Sequence, residues 1–177
     1  MMSTDELINT AILTRLSYYH LNTMVQLYRT LGSATAIVDR RDELPHLFSG
    51  LPAKVVEAMK DVEVVRARCE EELEYNEAHG IISLCLNDDA YPARLKECPD
   101  APLMLFYKGT ANLNARRIVN IVGTRHCTPY GEDLVRHLID DLRLRCPDVV
   151  VVSGLAYGVD VCAHRNALRK GMYTIGV

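Results

Sequence analysis

Two short stretches of this 177-residue chain carry glycines and polar side chains at spacings suited to holding an anion. VGTRHCTPYG occupies residues 122–131, and VVVVSGLAYGVDVCAHRNAL occupies residues 149–168. Gly123, Thr124 and Arg125 follow one apolar run, and Ser153 and Gly154 follow another. A strand that ends in a glycine turn and passes into a helix aims backbone N–H groups beyond the strand end. A guanidinium beside such a turn adds a planar fork of donors, so the expected ligand carries phosphate. Gly154 and Gly158 lack both the G-x-G-x-x-G spacing and a P-loop lysine. Spacing alone therefore leaves two readings of that turn open, a phosphate site and a purely structural bend. Arg125 is either a phosphate ligand or a surface arginine paired with a carboxylate.

Other chemistry-bearing residues have plainer readings. Asp160 and His164 stand four apart and form a helix-supporting pair or a catalytic one, with the acid favoured by the helix dipole. Tyr130 and Tyr157 sit in the two turns and serve base stacking or packing. Glu70, Glu71, Glu72 and Glu74 read as a solvated helix face. No Ser–His–Asp arrangement, carboxylate pair or metal cluster stands out, so no catalytic residue, metal ligand or cofactor is assigned. Six cysteines, at 69, 85, 98, 127, 146 and 162, are too widely spaced for a zinc knuckle or redox pair. They read as free thiols of a reducing cytoplasm.

The elements that position these residues follow from periodicity. The valine run, bounded by Pro147 and by Ser153-Gly154, predicts a strand buried on both faces. Ala163, Ala167 and Leu168 recur at helical spacing after it, and Gly171 supplies the stop. Ile118–Val122 predicts a second strand. The helix after it opens at Thr128–Gly131 and carries Leu134, Val135, Leu138, Ile139 and Leu142 as its stripe. If the strands are neighbours, both turns line one crevice at the strand ends, where open parallel sheets bind ligands at a reversal of strand order. Residues 173–177 predict a further strand. A complete sheet of this kind would continue beyond Val177, leaving an edge here for another chain to cover.

Upstream, the pattern is helical. Ser3 and Glu6 predict a capping box, Asn22 a cap for the second helix, and Gly32 its end. Short helices follow over 34–38 and 42–48, the latter closed by Gly50, and Tyr18-Tyr19-His20 predicts a turn. Pro52 opens another helix. A break is expected near Asp61-Val62, where the apolar stripe loses phase. Strands are predicted over 81–86 and 103–107, with a short helix over 91–95 between them.

The charge divides at Gly80. Residues 1–80 carry 8 Lys and Arg against 13 Asp and Glu, and the remainder carries 12 against 10. A polyanion should prefer the second part through a local patch. Two domains are expected: 1–80 helical, of the sterile-alpha-motif or helix-hairpin-helix kind, and 81–177 α/β. The fold class is α/β, a small helical domain followed by a partial Rossmann-like doubly wound sheet. The N-terminus carries no signal-peptide pattern, and no run is long and apolar enough for a membrane span.

Taken together, VGTRHCTPYG, VSGLAYGVDVCAHRNAL (152–168), TIGV (174–177), YPARL (91–95) and PDAPLMLFYKG (99–109) resemble the DNA-processing protein A family, also called Smf. The resemblance implies a Rossmann-like domain that binds single-stranded DNA and loads the RecA recombinase in natural transformation, without catalysis. It also implies self-association in a full-length relative. Gly123, Thr124 and Arg125 match the family's Gly-Ser-Arg loop, whose arginine faces phosphate, and Ser153 and Gly154 match its second phosphate-facing turn. Asp160, Ala163 and His164 match a pattern read as structural. Residues 17–22 lack the Gly-x-Gly hairpin of many members, so the helical part is expected to make protein contacts. Two other readings are an enzyme of the lysine-decarboxylase-like fold acting on nucleoside monophosphates, and a helical interaction module with the α/β part as scaffold.

Overall fold

A computed structural model describes residues 3–16 and 20–177. The predicted turn at Tyr18-Tyr19 lies outside the described residues. The chain forms two compact units, 1–109 and 110–177.

The first unit holds α1 (Thr4–Leu16), α2 (Leu21–Leu31), α3 (Ala34–Asp39), α4 (Leu44–Leu47), α5 (Ala53–Ala58) and α6 (Val62–Ala78). A 3-10 turn, Met59–Asp61, separates α5 from α6 where the loss of phase predicts a break. An antiparallel hairpin follows, β1 (Ile82–Cys85) with β2 (Met104–Tyr107), and α7 (Ala93–Lys96) lies in its connection. Ile12, Leu13, Met24, Leu27, Ile37 and Leu44 form the buried centre. Each such side chain contributes roughly 1.5–3 kcal/mol by leaving water.

The hairpin belongs to this unit, so the units divide at Gly109 and not at the charge step at Gly80. Specific bonds explain why. Asn76 in α6 accepts from Ile81 N–H at 2.8 Å through its backbone carbonyl, and its side chain reaches Ser83. Arg29 of α2 donates to the carbonyls of Lys96 and Cys98, and Asn87 donates to Gly32 O. Such long-range side-chain bonds leave no trace in periodicity.

Two predicted caps differ as well. Ser3 Oγ accepts from Glu6 N–H at 3.2 Å, which is half a capping box. The Glu6 carboxylate does not return to Ser3 but crosses to the start of α3. Asn22 lies inside α2, and His20 occupies the cap position with no side-chain bond. The helix beginning near 42 is shorter than expected and ends before Gly50.

The second unit contains β3 (Ile118–Asn120), α8 (Pro129–Arg145), β4 (Val150–Ser153), α9 (Val159–Arg169) and β5 (Thr174–Gly176). The three strands are parallel in the order β3-β4-β5. β4 is central, and its stiff, branched valines suit a mostly buried strand. Val135 and Ile139 of α8 and Ala163 and Ala167 of α9 share one core with Ile121, Val149 and Val151. Both helices therefore cover the same sheet face. The small alanines let α9 lie close to the sheet. The α8 stripe is only partly used, since Leu134 and Leu138 stay exposed while Val135 and Ile139 are buried. Strand order follows chain order, so the described sheet contains no reversal between β3 and β4.

Candidate nucleic-acid interface

The carboxyl ends of β3 and β4 carry the two glycine turns, and the turns touch. Val159 N–H donates to Thr124 O at 3.1 Å, tying the start of α9 to the β3 turn. Gly158 has φ +83°, and a Cβ there would collide with the Thr124 and Arg125 backbone. A left-handed backbone and a close approach both require glycine at that position. At Gly123 a Cβ would stand 2.7 Å from a Val159 methyl carbon. These glycines bring the two turns together without any reversal in strand order.

Ser153 is buried at 2% exposure, and its hydroxyl donates to Ile121 O at 2.6 Å. In a parallel ladder that carbonyl is the next acceptor for Gly154 N–H, after Ile121 N–H has donated to Val152 O. The serine hydroxyl takes the acceptor instead, and Gly154 N–H donates to no other described residue. The Ser153 hydroxyl is thus spent inside the fold, and the neighbouring amide is left without that acceptor. The N–H groups of Gly123, Thr124, Arg125 and Leu155 also donate to no described residue. Thr124 Oγ accepts from His126 N–H at 3.2 Å and shapes the loop. Thr128 Oγ accepts from Gly131 N–H and starts α8, with Pro129 in its first turn.

Arg125 is exposed, and its guanidinium makes no ion pair with any described residue. The neighbouring arginine at 117 is different: it holds Asp148 at 2.7 Å, which raises its pKa and lowers that of the carboxyl. Tyr130 and Tyr157 are 77% and 83% exposed, so neither ring is core packing. Val122, next to Gly123, and Leu155, next to Gly154, are exposed as well.

Asp160 and His164 do not pair. His164 bridges Thr174 Oγ1 at 2.6 Å and Gly154 O at 2.9 Å, fastening the β4 turn to β5. Asp160 is buried, its Oδ1 has no hydrogen-bond partner among the described residues, and its Oδ2 lies 2.5 Å from where a Gly154 Cβ would stand. A carboxylate beside Gly154 opposes an anion at that residue's amide. The Gly154 turn therefore carries a carboxylate beside its amide, and the Gly123–Arg125 turn has none hydrogen-bonded to its amides among the described residues. Spacing leaves the Gly154 turn open between a phosphate site and a structural bend, because the rotamer that turns Asp160 toward Gly154 is a packing outcome. Burial, with Glu132 nearby, pushes the Cys162 thiol up. No cluster suited to a metal ion occurs among the described residues.

Fold and site define a class: a Rossmann-like α/β unit with an open, arginine-bearing strand-end crevice, joined to a helical unit. Residues 83–177 match the model of the DNA recombination-mediator protein A family, and the chain belongs to that family. DNA processing protein DprA of Streptococcus pneumoniae is 43% identical over 95 residues, which cover 54% of this chain and 33% of that one. DNA processing protein DprA of Bacillus subtilis is 38% identical over 99 residues, covering 55% of this chain and 33% of its own. The X-ray structure of the Streptococcus pneumoniae protein superposes with a TM-score of 0.65 at 28% identity, over 100% of this chain and 58% of that one. The matched segment thus spans about a third of the length of these curated relatives.

Proposed function

We propose that this chain binds single-stranded DNA without catalysis, through the crevice at the ends of β3 and β4, and passes it to a RecA-type recombinase. The observation that carries the reading is the unpaired Arg125 beside the open amides of Gly123–Arg125, in a chain of the recombination-mediator family. One phosphate would lie on Arg125 and these amides. Exposed Tyr130 and Tyr157 would stack on bases, a contact that every base accepts. Ser153 and Gly154 contribute by shaping the second wall. Six free thiols agree with work in a reducing cytoplasm, and no helix among the described residues is long and apolar enough to cross a membrane. Self-association is proposed for the whole protein on the same resemblance.

One observation favours the second reading. An unpartnered buried carboxylate beside open amides, as at Asp160, also suits hydrolysis of a nucleoside monophosphate. Titration of a labelled oligonucleotide, run beside an assay for base and phosphate release from nucleoside monophosphates, separates the two. Salt-dependent oligonucleotide binding with no turnover supports the mediator. Turnover abolished by Asp160→Asn supports the enzyme.

A further inference from the structure

We propose that the groove between α1 and α6 docks a basic, amphipathic helical segment of a protein partner. The groove has a volume of about 500 Å³, and its floor is apolar: Leu7 and Ile8 from α1, Leu73 from α6, and Ile81. All four are half-buried. One wall carries Glu70, Glu74 and Glu77. Their spacing puts them on one face of α6, one above another.

The other charges on α6 show why this wall is different. Glu63 holds Arg66 at 3.2 Å and Arg41 at 3.8 Å, and Arg68 holds Glu71 at 3.4 Å. Among the described residues, Glu70, Glu74 and Glu77 have no cation within ion-pair distance. Like charges one turn apart repel, and here they repel beside an apolar floor. A segment that presents leucine-type side chains to the floor and lysines or arginines to the wall satisfies both features. Nucleic acid and anionic lipid carry the wrong charge. From Glu70 to Glu77 the wall rises about 10 Å, the length of roughly two helical turns. That fits a helix laid in a groove with few anchors, a common mode of peptide recognition.

The test uses the whole chain and a fluorescein-labelled amphipathic peptide of Lys, Leu and Ala, about 15 residues long so that helix is accessible. Fluorescence anisotropy at physiological salt gives its affinity. The triple change Glu70→Gln, Glu74→Gln and Glu77→Gln should weaken binding about tenfold, as expected for the loss of a few screened ion pairs. The matched change Glu57→Gln, Glu63→Gln and Glu71→Gln removes the same charge away from the wall and should leave affinity within about twofold. Leu73→Ala should weaken binding with no change in net charge. Circular dichroism checks that each variant is folded. Equal weakening by both triple variants, no effect of Leu73→Ala, or no binding by the unaltered chain would each overturn the proposal. None of these outcomes bears on oligonucleotide binding, which is read separately.

Discussion

The two units handle the same chemical problem in opposite ways. In the helical unit, the N–H groups at the start of α3 are filled by the chain itself. Glu6 Oε1 accepts from Ala34 N–H at 2.7 Å and from Tyr28 O–H, and Oε2 accepts from Thr35 N–H at 2.9 Å and from Thr35 Oγ. In the α/β unit, the amides at the ends of β3 and β4 are left open among the described residues, and the carboxylate of Asp160 beside Gly154 bonds to none of them. A set of backbone N–H groups without an acceptor attracts an anion in both cases, at a helix start in the first unit and at strand ends in the second. A self-supplied carboxylate makes it a structural clamp, and an empty one makes it a candidate for a ligand. A glycine turn before a helix is therefore weak testimony until the fate of its amides is known.

The largest expected effect comes from closing the contact that joins the two glycine turns. Gly158→Val forces a branched residue into a left-handed backbone against Thr124 O. It should cost at least about 3 kcal/mol. Oligonucleotide binding should fail with it, and urea unfolding of the α/β unit reads the loss. Undiminished stability would mean that the turns do not touch as described.

Emptying the clamp comes next. Glu6→Ala strips the acceptors from Ala34 and Thr35 and should destabilise the helical unit by roughly 2–4 kcal/mol. Oligonucleotide affinity should hold. A loss of affinity at full stability would place DNA on the helical unit and break the contrast.

The units should also differ in alkali. In the helical unit, burial pushes the Cys85 thiol up from 9.0 to about 12 and the Tyr91 hydroxyl up from 10.0 to about 12. Tyr28 is raised further, by burial and then by the Glu6 carboxylate. A raised folded pKa favours the protonated group in the native state. Its contribution is intact below the unfolded pKa and is lost as pH rises through the folded one. The helical unit should therefore weaken progressively between pH 9.0 and about 12, followed by circular dichroism. In the α/β unit, Asp133, Asp140 and Asp148 are lowered by Arg136, Lys170 and Arg117. These contributions are present above pH 3.8 and are lost as pH falls below it, and exposure keeps them small. An alkaline transition in the α/β unit alone would contradict this.

Smaller effects test the open crevice. Arg125→Ala should leave the fold intact and reduce the slope of log K against log salt by about 0.7, the loss of one phosphate contact on a single strand. An unchanged slope removes Arg125 from the interface. Asp160→Asn removes a negative charge from beside the Gly154 amide and should tighten oligonucleotide binding by about two- to fivefold. Weaker binding would mean that the carboxylate itself receives a ligand group.

The sequence by itself determined the local elements and the family. The four valines, the Thr128-Pro129 start, the break before Val62 and the two glycine turns are legible because sterics, capping and periodicity act within a few residues. The helical first part and parallel α/β second part follow from the same short-range rules. Only the tertiary structure decided which polar groups are spent and which are free. Ser153 reads from its place after a strand as a candidate phosphate ligand, yet its hydroxyl is buried against Ile121 O, 32 residues away in sequence. Glu6 looks like a capping-box residue, yet it serves α3. Asp160 and His164 have the spacing of a helix pair, but one turns to Gly154 and the other to Thr174. The hairpin joins the helical unit although the charge step precedes it. Each outcome depends on contacts between residues far apart in the chain, where packing and hydrogen-bond satisfaction outweigh local preference.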